Sequence, residues 1–107
     1  MKSPVIVQDS DGDVLIFRSM DNAEDYLEPI DVRAGEYVAY DADGRLLTIS
    51  VDEDRGIVRL GSSDSTAQHA ADLRGILLQL LGRIEPGHEL SDCPLDALVA
   101  KALVYSR

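Results

Sequence analysis

Carboxylates grouped in short turns are the side chains whose spacing in this sequence most invites a chemical role. Three aspartates alternate in the segment 9–13 (DSDGD), a pattern that could gather a cation. A calcium-binding EF-hand loop needs glycine at its sixth position and a bidentate glutamate at its twelfth. Counted from the first aspartate, Gly12 falls at position four and Met20 at position twelve. We therefore interpret this segment, and the similar segments 41–44 and 52–54, as turns, because Asp and Gly are the residues that tight turns require.

Cys93 is the candidate nucleophile, since it lies at the predicted start of a helix, where a thiolate is favoured. The available bases are His69, at the beginning of a predicted helix, and His88, in a predicted loop. A Cys93–His88 pair would lack a third orienting group and a glycine-rich oxyanion loop. These three residues also lack the close spacing of a zinc site, and the sequence has no phosphate-binding P-loop pattern. We predict no catalytic residue, no metal site and no cofactor.

The excess of acidic residues is the most informative property of the composition. Twenty Asp and Glu oppose ten Lys and Arg, which gives a net charge of −10, of which −9 lies in residues 1–64. Such a charge repels phosphate backbones and anionic membrane surfaces, so we expect neither a nucleic acid nor a membrane as partner. It favours a partner protein with a basic surface. The alternative is that the acidity only keeps a small protein soluble.

The length and the hydrophobic content fit one domain. The chain has 107 residues, 45% of them hydrophobic, and one cysteine, so no internal disulfide is possible. We predict a single α+β domain over residues 1–107. The N-terminal residues lack the pattern of a secretory signal, and no apolar run is long enough to span a membrane, which predicts a cytoplasmic protein. A monomer in a 1:1 complex is the expected form.

The first sixty residues have the period-two pattern of strands, interrupted by turns. Short runs of β-branched and aromatic residues predict strands at 5–7, 14–17, 36–40, 45–51 and 57–60. A short helix is predicted between the second and third strands, from about Met20 to Leu27, with Ser19 as its N-cap and Pro29 preventing its continuation. These elements make a hairpin, a short helix and a three-strand meander, which together predict an antiparallel sheet of about five strands.

After residue 65 the period becomes helical. Ser65 and Gln68 fit the capping-box pattern at the start of a helix. Leucines then recur at helical spacing until the segment 85–87 (EPG), which ends the helix. A last helix is predicted to begin near Pro94. Two C-terminal helices are therefore expected to cover one face of the sheet, and the other face is left mostly to solvent or to a partner.

The residues expected to contact the partner lie in the strand-rich half. Tyr37 and Tyr40 have opposite parity on one strand, so we expect one of them to be exposed as an interface anchor; a tyrosine lying flat on a solvated sheet face is the alternative. Turn chemistry does not require three consecutive acids at 52–54, so we expect these acids to steer a basic partner. The predicted contact residues are Asp11, Asp13, Tyr37, Tyr40, Asp41, Asp43, Asp52, Glu53 and Asp54.

Three segments carry a resemblance to a known family: 12–19 (GDVLIFRS), 23–32 (AEDYLEPIDV) and 35–47 (GEYVAYDADGRLL). In them the chain resembles the small acidic immunity proteins of bacterial polymorphic toxin systems, over about residues 12–51. The resemblance implies a non-enzymatic inhibitor that docks on a cognate toxin domain and blocks it by occlusion or allosterically. An acidic adaptor or chaperone for a secreted effector is the alternative function. A small enzyme that uses Cys93 or a carboxylate pair is a third class.

Overall fold

The structure is a computed structural model that describes residues 1–62, 67–87 and 89–107. Its elements, in chain order, are β1 (Val5–Asp9), β2 (Val14–Phe17), α1 (Met20–Tyr26), α2 (Pro29–Arg33), β3 (Tyr37–Tyr40), β4 (Leu46–Asp52), β5 (Ile57–Ser62), α3 (Ala70–Ile84) and α4 (Leu95–Leu103). The predicted α+β class is confirmed, with a five-stranded antiparallel sheet and two C-terminal helices.

The sheet has the strand order β2-β1-β3-β4-β5, and every neighbouring pair is antiparallel. β1 ends where β3 begins, because Asp9 pairs with Tyr37. β4 then runs back from Leu46 to Asp52 and turns into β5. The turns 9–13 and 52–56 therefore lie at one end of the sheet together with the start of β3. The turn 41–45 lies at the opposite end.

Helices cover both faces of the sheet. β1 shows this directly, since Val5, Ile6 and Val7 are all fully buried although successive side chains point to opposite faces. One core cluster lies under α1 and α2 and contains Val5, Val7, Phe17, Ala23, Leu27, Ala39, Leu47, Val58 and Leu60. The other lies under α3 and α4 and contains Ile6, Ile16, Tyr40, Ala42, Leu73, Ile76, Leu77, Leu81, Leu90, Leu98, Val99 and Ala102.

The prediction that one face is left mostly to solvent is therefore wrong for β2, β1 and most of β3. The open part of the sheet lies instead on the far half of the face that carries α3 and α4, the face that was predicted to be covered. There Thr48 and Ser50 of β4 and Arg59 of β5 are exposed, and Val38 of β3 is 43% exposed. The uncovered part of the sheet thus has short polar side chains where the covered part has aliphatic ones.

The helix boundaries agree with the predicted caps at two of four helices. The Ser19 hydroxyl accepts a hydrogen bond from the Asn22 N–H at 3.1 Å and caps α1 as predicted. α4 begins directly after Pro94, again as predicted. Pro29, however, also begins α2, because proline fits the first turn of a helix as well as it interrupts one. α3 begins at Ala70, later than the predicted capping box at Ser65, which lies outside the described residues.

Both outer strands have a polar backbone group occupied by another part of the chain. On β5 the Leu60 N–H donates to Oε2 of Glu24 in α1, at 2.7 Å. On β2 the Ile16 carbonyl accepts a hydrogen bond from the Arg107 N–H, also at 2.7 Å. Such bonds satisfy strand edges that would otherwise pair with another chain.

Gly44 fixes the turn 41–45 against the start of α3. Its φ is +88°, and a Cβ at this position would lie 2.5 Å from the Ala70 Cα. The Gly44 carbonyl also accepts a hydrogen bond from the His69 N–H at 3.0 Å. The close approach requires glycine for space as well as for conformation. Among the helices that the structure describes, none is long and apolar enough to cross a bilayer.

Candidate partner-binding surface

The structure divides the predicted contact residues between the two ends of the sheet. The turns 9–13 and 52–56 lie at the same end, so their acids form a common surface with the loop that precedes β3. Asp41 and Asp43 lie at the opposite end. The predicted contact residues therefore do not form one continuous surface.

The turn 9–13 uses one carboxylate for its own structure. The Asp9 Oδ1 accepts hydrogen bonds from the N–H groups of Asp11 at 3.0 Å and Asp13 at 2.9 Å. This is the local bonding that makes aspartate common in turns. Asp11 and Asp13 are exposed, and within the described chain their carboxylates form no hydrogen bond or ion pair. Two acids of this turn thus remain available to a partner.

The turn 52–56 also needs part of its charge for the fold. The Asp52 Oδ1 accepts hydrogen bonds from the N–H groups of Asp54 at 3.2 Å and Arg55 at 3.3 Å. Glu53 forms a bidentate pair with Arg33 of α2, with N–O distances of 3.0 and 2.8 Å, and this pair lowers the pKa of Glu53. Asp52 and Glu53 therefore have structural partners as well, and the steering of a partner by these three acids stays a prediction. Asp54 is exposed, and among the described residues its carboxylate has no hydrogen-bond or ion-pair partner.

Glu36 lies between the two turns, immediately before β3. The charge of Asp31 raises the pKa of Glu36, as do burial, the hydrogen bond to Asp31, and the charges of Asp11 and Asp9. Tyr37 donates its hydroxyl to Oδ2 of Asp31 at 3.2 Å, and burial together with that carboxylate raises the Tyr37 pKa to about 12. Repulsion between carboxylates is therefore not fully compensated here.

We call this surface the acidic end; it consists of Asp9, Asp11, Asp13, Asp31, Glu36, Asp52, Glu53 and Asp54. The cations within 4.0 Å of its carboxylates, among the described residues, are Arg33 on Glu53 and Arg55 on Asp52. The surface thus has a large excess of negative charge at one end of the sheet.

The turn 41–45, at the opposite end, is a compensated structural unit. Asp41 is fully buried, and its carboxylate accepts hydrogen bonds from the N–H groups of Asp43 and Arg45, both at 2.9 Å, and of Lys2 at 3.2 Å. Burial alone would raise the pKa of Asp41, but these amides and the Arg45 guanidinium outweigh it and lower the pKa. Asp43 pairs with Arg45 at 2.8 Å and with Lys2 at 3.5 Å. Asp41 is therefore inaccessible to a partner, contrary to its predicted role.

Tyr37 and Tyr40 face opposite sides of the sheet, as their parity predicts. Tyr40 belongs to the cluster under α3 and α4 and is only 7% exposed, and Tyr37 is partly buried against the cluster under α2. The expectation that one of the two rings is exposed is wrong, because Tyr40 lies under α3 and α4 and Tyr37 packs against the cluster under α1 and α2. Tyr37, at the border of the acidic end, is the more accessible one.

A cleft between β3 and β4 was not predicted from the sequence. β3 pairs with β1 over its whole length, but its pairing with β4 is limited to Ala39–Leu47 and Tyr40–Leu46. Beyond these pairs lies a cleft of about 240 Å³, lined by Val32, Gly35, Tyr37, Val38, Leu46, Leu47 and Ile49. Its position depends on α2 packing against β4, which no local sequence pattern reveals.

The candidate catalytic residues have ordinary structural environments. Cys93 packs against the cluster under α3 and α4, and its carbonyl accepts a hydrogen bond from Arg74. His69 Nδ1 lies 3.2 Å from an Asp72 carboxylate oxygen. His88 lies outside the described residues. No group of three or more His, Cys, Asp or Glu side chains suited to a metal occurs in the part of the chain that the structure covers.

Comparisons of the chain with protein-family models, with curated proteins and with solved structures find no match. The resemblance to immunity proteins stays a prediction. A proposal for function therefore has to start from the chemistry of the acidic end.

Proposed function

We propose that this chain is a non-enzymatic, immunity-type inhibitor whose acidic end binds the basic surface of a cognate bacterial toxin domain in the cytoplasm. The observation that carries the proposal is the charge imbalance at the acidic end, where eight carboxylates have two cations within 4.0 Å in the described chain.

The fold accounts for only part of this charge. Asp9 and Asp52 bond the amides of their own turns, and Glu53 ties a turn to α2. The side-chain carboxylates of Asp11, Asp13 and Asp54 form no hydrogen bond or ion pair with the residues that the structure describes. Like charges held together destabilise the folded state, so a concentration beyond structural need indicates another use.

Binding of a basic protein supplies such a use. Complementary potentials raise the rate of encounter and disfavour partners of the wrong charge. A toxin domain that acts on nucleic acid, or on any other anionic substrate, has a basic surface for that purpose, and an acidic inhibitor can compete for it. The immunity resemblance in residues 12–51 includes three of the eight acids of the acidic end, Asp13, Asp31 and Glu36.

The test is co-expression with the toxin domain encoded directly upstream of this gene. We expect the chain to restore growth and to co-purify in a 1:1 complex, measured by light scattering. Charge reversal with Asp13→Lys and Asp54→Lys should weaken both effects. Asp21→Lys with Asp92→Lys is the matched control, because it changes the net charge equally at exposed positions away from the acidic end.

Two results would contradict the proposal. One is a toxic upstream domain that the chain neither binds nor neutralises. The other is an upstream protein whose secretion, rather than toxicity, depends on the chain, which would identify the adaptor or chaperone function. Equal weakening by both double substitutions would show that net charge, and not the acidic end, determines binding.

A further inference from the structure

The cleft between β3 and β4 combines apolar walls with carboxylates beside it. Val32 of α2, Val38 of β3 and Ile49 of β4 supply aliphatic surface. Gly35 and Tyr37 also line the cleft. Glu36 lies between them in the sequence and is therefore held beside the cleft wall.

The carboxylates are held there by the same elements that form the wall. Asp31 belongs to α2, one residue before Val32, and accepts a hydrogen bond from the Tyr37 hydroxyl at 3.2 Å. The Glu36 N–H donates to the Asp31 carbonyl at 3.2 Å, which keeps the two residues together. The position of the pair is therefore fixed by backbone as well as by side-chain bonds.

We propose that this cleft receives an arginine side chain of the basic partner, with its methylene stem against Val32, Val38 and Ile49 and its guanidinium at Asp31 and Glu36. The proposal rests on the proposed function for the existence of such a partner. It adds the residue type that the partner must present and the place where that residue binds.

The dimensions of the cleft favour a side chain over a larger ligand. At about 240 Å³ it is smaller than the roughly 300–1,000 Å³ of typical small-molecule sites. An arginine side chain has an apolar stem and a charged tip, which matches a cleft with aliphatic lining residues whose sequence neighbours include Asp31 and Glu36. Its planar fork donates several hydrogen bonds to carboxylates, which the ammonium of lysine cannot match geometrically.

The electrostatics favour a cation over an apolar group. Asp31 from α2 and Asp9 and Asp11 from the β1–β2 turn all act on Glu36, and each raises its pKa. A guanidinium placed among these groups would relieve their repulsion and bring the pKa of Glu36 back down. An apolar occupant would desolvate the carboxylates without compensation and so bind poorly.

The test uses the isolated chain, with N-acetyl-arginine amide as the probe. NMR spectra should show saturable shifts of the Val32, Val38 and Ile49 methyl groups together with the Glu36 carboxyl carbon. N-acetyl-norleucine amide, which has the apolar stem alone, should produce none of these shifts. N-acetyl-lysine amide should bind several-fold more weakly than the arginine probe. Glu36→Gln should weaken arginine binding about tenfold, the effect of one lost charge-assisted hydrogen bond.

A steric variant separates the cleft from general charge attraction. Val38→Trp should fill the cleft and abolish the shifts of the Val32 and Ile49 methyl groups, because Val38 lines the cleft and is 43% exposed. Ser50→Trp is the matched control, since Ser50 is exposed on a neighbouring strand and does not line the cleft. Circular dichroism would confirm that both variants fold.

Three outcomes would overturn the inference: equal shifts with norleucine, arginine shifts confined to Asp11, Asp13 and Asp54, or unchanged arginine binding in Val38→Trp. Preferred binding of lysine would replace arginine as the occupant. None of these outcomes contradicts the inhibitor proposal, because the experiments use the isolated chain and do not measure neutralisation of a toxin. Arginine binding without toxin neutralisation would leave the cleft as a site for some other basic protein.

Discussion

Asp41 and Glu36 show how differently two carboxylates of one chain can relate to the fold. Asp41 is buried, holds three backbone amides and has a lowered pKa. Glu36 lies among other carboxylates and has a raised pKa, first because of the charge of Asp31. The sequence places Asp41 in a predicted turn and Glu36 at the start of a predicted strand, but it does not show their pKa shifts, because burial and neighbouring charge are set by distant parts of the chain.

Replacement of Glu36 should therefore stabilise the folded protein. A pKa that is raised on folding favours the folded state below the unfolded pKa, and this contribution is lost as pH rises through the folded pKa. Glu36→Gln removes an unfavourable charge at neutral pH, so we expect a higher denaturant midpoint at pH 7. The gain should disappear near pH 3, where the carboxyl is protonated in both states.

Glu53→Gln is the matched control, with the opposite sign. Arg33 lowers the pKa of Glu53, so Glu53 favours the folded state above its unfolded pKa, and this is lost as pH falls through the folded value. We expect a lower midpoint at pH 7 and no difference at low pH. A loss of stability in Glu36→Gln at pH 7 would contradict the assignment of net repulsion to this position.

Individual strands and helices were predicted better than their packing. The spacing of hydrophobic residues and the residues typical of turns predict all five strands and α1, α3 and α4. α2 was not predicted because a proline can both end one helix and occupy the first turn of the next, and Pro29 was interpreted only as the end of α1. Burial of the second face was missed because α1 contributes only Ala23 as a buried helical residue, which is too little to give a recognisable apolar stripe.

The cleft was missed for a related reason. β3 and β4 were both predicted as strands, but the extent of their pairing depends on where α2 packs. Only some of the predicted contact residues are accessible. Local sequence chemistry identifies aspartates in turns, but it does not show which of them are buried or bonded within the fold. Asp41 and Tyr40 are buried, whereas Asp11, Asp13 and Asp54 are exposed.

Attachment of α3 to the sheet should depend on Gly44. Alanine at this position adds a strained positive φ and an overlap with Ala70, so we expect Gly44→Ala to cost about 2–5 kcal/mol of unfolding free energy. Gly12→Ala is the control, because Gly12 has a similar φ of +86° with no atom within 4 Å of the added Cβ. It should cost only about 1–2 kcal/mol, the strain alone. Equal costs in urea unfolding would show that the contact with α3 is unimportant.

Charge is distributed along the molecule so that one end of the sheet is acidic and the other is neutralised. At the neutralised end, Lys2 and Arg45 compensate Asp41 and Asp43. A partner that approaches in solution therefore meets a field that orients it toward the acidic end.

This orientation predicts a kinetic effect of charge reversal. Asp13→Lys with Asp54→Lys should slow association with the partner about tenfold or more at low salt and leave dissociation nearly unchanged. Added salt should reduce the difference, because exposed charges are screened within about 8–10 Å at physiological ionic strength. Asp52 is unsuitable for this purpose, since it bonds the amides of its own turn. Stopped-flow rates equal to wild type at low salt would place the partner elsewhere on the molecule.

The bond from the Leu60 N–H to Glu24 has a consequence for the behaviour of many copies together. β5 (IVRLGS) is an outer strand of high β-propensity, and its edge could template the β5 strand of a second copy. Glu24 protects this edge, because its carboxylate occupies the Leu60 N–H and also lies 3.9 Å from the Arg59 guanidinium, so a second copy finds the amide already bonded. We expect Glu24→Ala, but not Asp25→Ala, to self-associate with rising concentration in analytical ultracentrifugation. One partly buried carboxylate would then set how much of this protein a cell can accumulate before it begins to assemble.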